Sequence, residues 1–434
     1  MRYAGWGPAR APYTGLVSSG GSRPPQRSHV ATSTTADLRR INLGRVLREI
    51  HLRGPVNRAT LTEHLGLARG TVGVVLESLN GAGLVTERLP DRVATRGRPS
   101  PVLDVVSGRA VVLAVDLAVD AIRLSVVGLG GRILARQEWP HQHHGPEAAA
   151  KDLVGRLRSV ARRHRRAGAA YQAVSVACWG IVRSPDGFIN IAPNLGWNQV
   201  PLGQMLTAAL AASRSGTRPL IQHVAIGNDA DLGAMAEYLR GAGAGSKRLL
   251  YVHSDIGVGG GIVDAGHLLG ADGGYTGEIG HMTVNPAGRR CRCGAVGCWE
   301  TEVDERALLR AAGMSEPGDD STVASVARRI LDDARGGDQT ASVAVAEVAT
   351  ALGSGLASLV HVLGPDRIVV GGYLADLVEL CPDPVRMVLR ERGFSPEARD
   401  MAVVPGECRD DAALLGAAEY ALEPLLRDPL GELS

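Results

Sequence analysis

The sequence predicts an α/β protein in two parts: a small N-terminal module with a winged helix-turn-helix pattern, and a large α/β domain. Three short amphipathic segments precede a basic hairpin before residue 106. From residue 110 onward, apolar strands alternate with helices, a pattern typical of α/β domains. The 434 residues are 45% hydrophobic, which is enough for more than one core.

The N-terminal part is basic, whereas the remainder is mildly acidic. Residues 1–108 hold 15 Arg against 7 Asp or Glu, a charge of +8. The whole chain carries +2, which leaves −6 for residues 109–434. Residues 1–30 are rich in Gly, Pro, Ser and Arg without periodicity, so we expect a disordered tail. The basic excess fits either a solvated segment or contact with nucleic acid.

Residues 31–106 follow the pattern of a winged helix-turn-helix. An apolar stripe from Leu38 to Ile50 predicts the first helix, which Gly54-Pro55 ends. Asn57 is a suitable N-cap for the second helix, and apolar residues predict a third from Thr71 to Gly81. Two short strands, at residues 84–87 and 100–103, then enclose a polar loop with several arginines.

This module predicts double-stranded operator DNA as a partner. A recognition helix presents its N-terminal residues to base edges, and arginines in a wing can enter the minor groove. The alternative is a three-helix interaction module with a solvated loop. The candidate DNA-binding residues are Arg69, Gly70 and Thr71 on the third helix, Arg58 for a phosphate, and Arg96 and Arg98 in the wing.

The domain predicted for residues 109–434 begins with strands at 111–116, at 122–129 and near Ile133. This three-stranded meander recurs loosely at 249–266, which predicts two related lobes facing a cleft. We expect a small lobe of about 109–228 plus a C-terminal helix at 411–422, and a large lobe of about 229–410. Further strands are expected at 173–178, 219–224 and 367–370, with helices at 146–166 and from Asp229 through Glu237.

A cluster of metal-ligand residues is the most specific motif of the chain. His281, Cys291, Cys293 and Cys298 fall within eighteen positions, and four N and S ligands at short spacing can close a tetrahedron around zinc. The spacing does not fit a zinc finger, so we expect a structural zinc that braces a loop. The alternative is a set of unrelated core thiols. The adjoining segment Gly277–His281 is acidic and glycine-flanked, which makes it a candidate binding site.

The other cysteines and the apolar pattern bear on the compartment. Cys178, Cys381 and Cys408 are scattered, and we expect them to be buried thiols in a reducing environment. The sequence has no uninterrupted run of eighteen apolar residues and no apolar signal core at its N-terminus. We therefore expect a cytoplasmic protein without a membrane partner.

Several motifs together resemble the ROK family of repressors, open reading frames and sugar kinases. They are Asn228-Asp229, Gly277-Glu278-Ile279-Gly280-His281, the cysteine motif ending in Glu300, and Ala192-Pro193-Asn194-Leu195-Gly196-Trp197. The resemblance covers about residues 35–425, because repressors of this family carry a similar N-terminal module. It implies an actin-like fold with two lobes of the ribonuclease-H type around a sugar cleft.

The resemblance also implies roles for individual residues. Asp229 matches the catalytic base of the family kinases, and Asn228, Glu278, His281 and Glu300 match the ligands of sugar hydroxyls. Gly180 and Asn194 are expected to line the same pocket. The simpler alternative is that Asn228 and Asp229 only cap a helix, and that Glu278 and Glu300 are surface acids.

The kinase pattern breaks at both phosphate loops. Family kinases carry Asp-x-Gly-Gly-Thr where this chain has Asp116-Leu117-Ala118-Val119-Asp120, and Gly-Thr-Gly-x-Gly where it has Asp255-Ile256-Gly257-Val258-Gly259. Carboxylates replace the groups that would hold phosphates, so we expect no ATP cofactor and no enzymatic activity, with Asp229 a vestigial base.

The sequence therefore predicts a sugar-responsive DNA-binding regulator, a repressor, whose effector is a sugar, amino sugar or sugar phosphate. DNA symmetry and the family resemblance imply a homodimer or homotetramer. The alternative function is an ATP-dependent sugar kinase with a regulatory DNA-binding head.

Overall fold

The computed structural model describes residues 35–89, 101–118, 121–141, 145–184, 186–215, 218–254, 257–270, 273–318 and 320–433. Within these ranges the chain forms an N-terminal head and two α/β units. The predicted tail, residues 1–30, lies outside the described residues, as do Arg96 and Arg98 of the predicted wing.

The head consists of three helices and a three-stranded antiparallel sheet in the order β1-β3-β2. Asn57 caps the second helix, since its side chain accepts a hydrogen bond from Thr60 N at 2.9 Å. The hairpin strands begin one and two residues later than the sequence predicts. The elements are α1 (Thr35–Arg53), β1 (Val56–Asn57), α2 (Arg58–Leu65), α3 (Arg69–Gly81), β2 (Val85–Arg88) and β3 (Val102–Val105).

The first α/β unit is built on a five-stranded sheet in the order β13-β7-β4-β5-β6. Strands β4, β5 and β6 form an antiparallel meander, and β7 and β13 add in parallel. The elements are β4 (Ala110–Leu117), β5 (Ala121–Gly128), β6 (Arg132–Pro140), α4 (Pro146–Arg166), β7 (Tyr171–Cys178), β8 (Ile181–Arg183), β9 (Phe188–Ala192), β10 (Trp197–Val200), α5 (Leu202–Ala211), β11 (Arg214–Ser215), β12 (Arg218–Pro219) and β13 (His223–Asn228).

The second α/β unit repeats this sheet. Its order is β16-β15-β14-β17-β18, with an antiparallel meander followed by two parallel strands. The elements are α6 (Asp229–Arg240), β14 (Arg248–Ser254), β15 (Val258–Asp264), β16 (His267–Leu268), α7 (Glu300–Val303), α8 (Glu305–Ala311), α9 (Asp320–Arg335), α10 (Gln339–Leu363), β17 (Arg367–Gly372), α11 (Tyr373–Leu380), α12 (Pro382–Arg392), α13 (Pro396–Arg399) and β18 (Val403–Pro405). The last helix, α14 (Ala412–Arg427), shares a core with the first sheet.

One expected strand is displaced. The apolar run at 219–224 predicted a strand there, but the ladder with β7 begins at His223 and ends at Asn228. Leu220 and Ile221 are buried without belonging to a strand, which explains why their hydrophobicity misplaced the prediction. The shift puts Asn228 at the last position of the sheet ladder.

Helices α6 and α14 lie between the two sheets and pack closely on each other. A Cβ added at Gly416 would lie 1.7 Å from Leu232 O, so this crossing requires glycine. On its other side α6 contacts β15, where a Cβ on Gly261 would lie 2.6 Å from Ala234 Cβ. Helix α6 is therefore held between α14 and the second sheet.

The head shares a hydrophobic core with the first unit and α14. Leu47 and Ile50 of α1 belong to the same buried cluster as Leu422 and Leu425. The backbones also meet, because a Cβ on Gly44 would lie 2.6 Å from Leu426 O. The head is therefore packed on α14 rather than joined to it only by the chain.

Helix α10 is long and apolar enough to cross a membrane, judged by length and composition alone. Of its most apolar 18-residue window, 61% is buried inside the protein. Val345, Leu352 and Leu356 lie in the core of the second unit. Helix α10 is therefore apolar because it is a core helix of the second unit.

Candidate functional site

The first sheet brings three chain segments together at the carboxyl ends of its parallel strands. Leu117 of β4 and Asn228 of β13 both pair with Cys178 of β7. In open α/β sheets, ligands bind in the crevice outside such strand ends. The Cys178 thiol is buried. Its pKa is raised mainly by burial and further by the negative charges of Asp229 and Asp116. Both carboxylates therefore lie on this edge.

Asn228 uses both ends of its side-chain amide. The oxygen accepts from Asp231 N at 3.0 Å and so caps α6, and Nδ2 donates to Gly180 O at 3.0 Å. Gly180 has a φ of 132°, and a Cβ there would lie 2.3 Å from Ile191 O, so only glycine fits. Asn228 therefore caps α6, as the simpler alternative supposed. A contact of Asn228 with a sugar stays a prediction.

Acidic side chains from α6, from the 277–281 segment and from the start of α7 lie close to one another. The carboxylate of Glu278 lies 3.9 Å from His281 Nε2, and the carboxylate of Glu300 lies 3.7 Å from His281 Nδ1. Burial raises the pKa of Glu278, with His281 opposing and Glu300 reinforcing the rise. Burial and the nearby Glu278 raise the pKa of Asp231 to about 7. Sequence reasoning did not single out Asp231.

The predicted metal ligands meet at one point. The ligand atoms of His281, Cys291, Cys293 and Cys298 all lie within 4.8 Å of one another. Cys293 Sγ is 3.6 Å from Cys298 Sγ, and Cys291 Sγ is 3.7 Å from His281 Nδ1. This donor set can hold a metal ion.

The backbone around these ligands is folded into a tight turn. Cys291 N donates to Ala295 O at 2.8 Å, and Gly294 N donates to Cys291 O at 3.0 Å. Gly297 has a φ of 80°, and a Cβ there would lie 1.8 Å from Asn285 O. Gly297 is therefore a steric requirement of this knuckle, and Gly294, with a φ of 95°, is favoured by its backbone conformation.

The protonation of the three thiols depends on their surroundings. Burial raises the pKa of Cys291, and its hydrogen bond to Glu300 Oε1 at 2.7 Å adds to the rise. Burial also raises the pKa of Cys298. Burial acts in the same direction on Cys293, but a backbone hydrogen bond from Ala295 and the other thiols lower its pKa. A bound cation would favour the thiolate form of all three.

The knuckle and the acidic site are continuous. Glu300 accepts a hydrogen bond from the Cys291 thiol and begins α7. Its other oxygen faces Gly257, where a Cβ would lie 3.1 Å away. The cysteine cluster is therefore hydrogen-bonded to a carboxylate that lies beside the segment matching the second phosphate loop of the family kinases.

Asn194 is the least defined of the predicted sugar-site residues. It lies, half-buried, in a turn of 3₁₀ helix at Pro193–Leu195. The preceding Ala192 packs against Gly180, since a Cβ on that glycine would lie 2.8 Å from Ala192 Cα. This contact puts the turn near Asn228, and the role of Asn194 stays a prediction.

The phosphate loops are described only in part. Asp120, Asp255 and Ile256 lie outside the described residues. Asp116 is paired with Arg123, whose Nη1 donates to Asp116 Oδ2 at 3.1 Å. A guanidinium on β5 therefore offsets the Asp116 charge. The carboxylate expected to repel phosphates at the first loop, that of Asp120, lies outside the described residues, so this expectation stays a prediction.

The predicted DNA-contact residues lie at the start of α2 and α3. Arg69 and Gly70 are exposed at the beginning of α3, and Thr71 is half-buried. Arg58 Nη2 donates to Glu87 Oε2 at 3.0 Å, so a phosphate would have to share or replace this carboxylate. The assignment of all four to DNA stays a prediction.

The scattered cysteines differ from expectation in one respect. Cys178 is buried, as expected, but Cys381 and Cys408 are only half-buried. Cys381 lies between two helices, as the C-cap of α11 and the N-cap of α12. All three are free thiols.

Comparison with known proteins gives consistent matches. Residues 112–423 match the sequence profile of the ROK family. The xylose repressor of Caldicellulosiruptor bescii is 25% identical over 402 residues, covering 90% of this chain and 98% of the repressor. The glucokinase of Streptomyces coelicolor is 30% identical over 331 residues, covering 73% of this chain and 98% of the enzyme.

A solved structure gives a similar result for the fold. The crystal structure of a ROK family transcriptional regulator, a homologue of the E. coli MLC protein, superposes with a TM-score of 0.71 at 23% sequence identity. The match covers 91% of this chain and 99% of that regulator. The similarity to the regulators therefore includes the head, whereas the similarity to the glucokinase covers a smaller share of the chain.

Proposed function

Because this chain belongs to the ROK family, we propose that it is a sugar-responsive transcriptional repressor. The main support for this proposal is the share of the chain that each relative covers: a xylose repressor matches 90% of the chain, whereas a glucokinase matches 73%. The additional part is the basic head, packed on α14 through a shared core. Its helices and hairpin support a winged helix-turn-helix that binds operator DNA. The symmetry of paired half-sites would require a homodimer or homotetramer.

In this proposal the effector is a sugar, amino sugar or sugar phosphate bound in the cleft between the two α/β units, at the carboxyl ends of the strands. Asn228, Asp229, Glu278, His281 and Glu300 would exchange hydrogen bonds with its hydroxyls, with Gly180 and Asn194 lining the same pocket. Carboxylates and amides suit vicinal hydroxyls because they accept and donate in pairs. Sugar-dependent closure of the cleft would favour one arrangement of the head over another.

We propose zinc as the metal of the cysteine cluster. In a tetrahedral zinc site with Zn–S bonds of about 2.3 Å, neighbouring ligand atoms lie about 3.8 Å apart. The 3.6 Å Cys293–Cys298 distance and the 3.7 Å Cys291–His281 distance fit this geometry. Three thiols and one imidazole form a closed set of four ligands, which suits a structural role. The metal would hold His281 and, through Cys291, Glu300 in place.

Replacing Arg69 with alanine is expected to weaken operator binding by about 5- to 150-fold, because one good base contact is worth about 1–3 kcal/mol. Sugar affinity should not change. The measurement is a gel-shift titration on a duplex that the protein itself enriches from a random DNA library. Arg40→Ala removes an equally exposed head arginine, which pairs with Asp37 on α1, and serves as the control. Equal operator affinity of wild type and Arg69→Ala would refute the assignment.

The alternative function, an ATP-dependent sugar kinase, is favoured by the retention of Asp229. We expect no sugar-dependent ATP turnover, because a base cannot transfer a phosphoryl group that is not held. The measurement is ADP release with D-glucose, D-xylose and N-acetyl-D-glucosamine, with a ROK glucokinase as the positive control. Turnover that Asp229→Asn abolishes would establish the kinase function instead.

A further inference from the structure

A buried polar junction joins the head to both α/β units. Its members are His51 of α1, Glu419 of α14 and Arg240 at the C-terminal end of α6. His51 is 1% exposed and Glu419 is 3% exposed. A buried carboxylate is stable only when it is paired and hydrogen-bonded, so these three side chains depend on one another.

The contacts in the junction are short. Arg240 Nε donates to Glu419 Oε1 at 2.7 Å, and His51 Nε2 lies 2.9 Å from Glu419 Oε2 and 2.6 Å from Arg240 Nη2. Burial alone would raise the pKa of Glu419, but His51 and Arg240 lower it to about 2. The carboxylate is therefore charged and held by two partners from different parts of the molecule.

The loop after β5 closes the junction. Gly130 N donates to His51 Nδ1 at 2.9 Å, and Arg240 Nη1 donates to Gly130 O at 3.2 Å. A Cβ on Gly131 would lie 2.6 Å from the Arg240 guanidinium carbon, so the loop has no room for a side chain there. Arg240 thus contacts the head, α14 and the first sheet at one place.

Helix α6 connects this junction to the candidate sugar site. Its N-terminal end carries Asn228 as the cap and Asp229 as the first residue, and its C-terminal residue is Arg240. Its 12 residues span about 18 Å at about 1.5 Å rise per residue. Glu237, one turn before Arg240, accepts backbone hydrogen bonds from Ala242 and Cys408, which fix this end of the helix to the second unit.

From this continuity we infer that Arg240 is the coupling residue between the cleft and the head: a shift of α6 on sugar binding changes the Arg240–Glu419–His51 junction and with it the orientation of α1. The inference rests on the proposed function. Close packing of α6 on α14 and β15 means that the helix moves as a rigid element, so displacement at Asp229 reaches Arg240. The differential contact that the inference requires is that of His51 on the head with Glu419 and Arg240, which a shift of α6 relative to α14 would alter.

The test compares two ion-pair variants of the full-length protein. Arg240→Met removes the guanidinium but keeps a long side chain, and Arg48→Met removes the 2.7 Å pair with Glu423, which joins α1 to α14 without involving α6. The affinity for the enriched DNA duplex is measured without sugar and with D-glucose, D-xylose or N-acetyl-D-glucosamine. The ratio of the two affinities is the readout, because a purely structural role would change both equally.

We expect the DNA affinities of Arg240→Met with and without sugar to differ by less than about twofold, whereas Arg48→Met should keep the wild-type ratio. If Arg240→Met retains the wild-type ratio, or if both variants lose it, the inference is wrong. If Arg240→Met does not fold, Glu419→Gln, which keeps shape and hydrogen bonding but not charge, must reduce the ratio instead. A wild-type protein whose DNA affinity responds to none of the sugars would contradict the proposed function itself.

Discussion

Replacing Cys293 with serine is expected to abolish metal binding at the cysteine cluster and to loosen the segments that carry Glu278 and Glu300. A serine hydroxyl stays protonated at neutral pH, so the site would lose one of its four ligands and the tetrahedron could not close. Because ligand atoms from four sequence positions converge within 4.8 Å, the loss would release the whole knuckle and not only residue 293.

The expected size of this effect is large. Wild-type protein should carry about one zinc per chain, and Cys293→Ser well below half of that, as measured by elemental mass spectrometry. Sugar affinity should fall by about 10-fold or more, because metal binding contributes directly to the folding free energy of the region it closes.

Cys381→Ser is the matched control, because Cys381 is a half-buried free thiol outside the cluster. It should keep both the metal and the sugar affinity. Full sugar affinity in zinc-free protein would contradict the bracing role, and a wild-type chain that retains no metal would contradict the site itself.

Replacing Asp229 with alanine is expected to reduce sugar affinity by about 10- to 150-fold, because a hydrogen bond to a charged group contributes about 1.5–3 kcal/mol. The fold should be retained, since the cap of α6 is the Asn228 side chain, which this substitution leaves in place. Calorimetric titration with the sugar that stabilises the wild-type protein measures the effect. Operator affinity without sugar should stay at the wild-type level.

Two further variants sharpen this result. Asp229→Asn keeps an oxygen and a similar shape, so it should lose less affinity than Asp229→Ala if the residue acts by binding. Asp152→Ala removes an exposed carboxylate that pairs with Arg156 on α4, and should change nothing. Unchanged sugar affinity in Asp229→Ala would exclude the residue from the site.

Most of the correct predictions from the sequence came from local motifs, in which the relevant residues are close together in the chain. The knuckle was predictable because its last three ligands fall within eight positions and its glycines mark the turns. The repeat of the meander was visible at 249–266, and the structure extends it to two sheets with the same strand order. The position of Asn228 at the start of a helix followed from the Gly-Asn-Asp sequence, even though the strand before it was placed too early.

Contacts between distant residues could not be predicted in this way. Glu419 lies 368 positions from His51 and 179 from Arg240, and none of the three belongs to a motif. The Asp116–Arg123 pair was missed for a different reason. The two residues lie on neighbouring strands, and only the register of β4 with β5 places them opposite each other. Burial of Asp231 near Glu278 likewise depends on how α6 meets the loop.

In the proposed mechanism, a sugar cleft closed by a metal knuckle controls a DNA-binding head. The decisive measurement is the affinity of zinc-loaded, full-length protein for its enriched DNA duplex across a panel of monosaccharides, amino sugars and sugar phosphates. We predict that at least one of these ligands changes the affinity by about 5- to 150-fold, and that Asp229→Ala shifts this response to higher ligand concentration. Tight DNA binding that no ligand in the panel alters would contradict the mechanism.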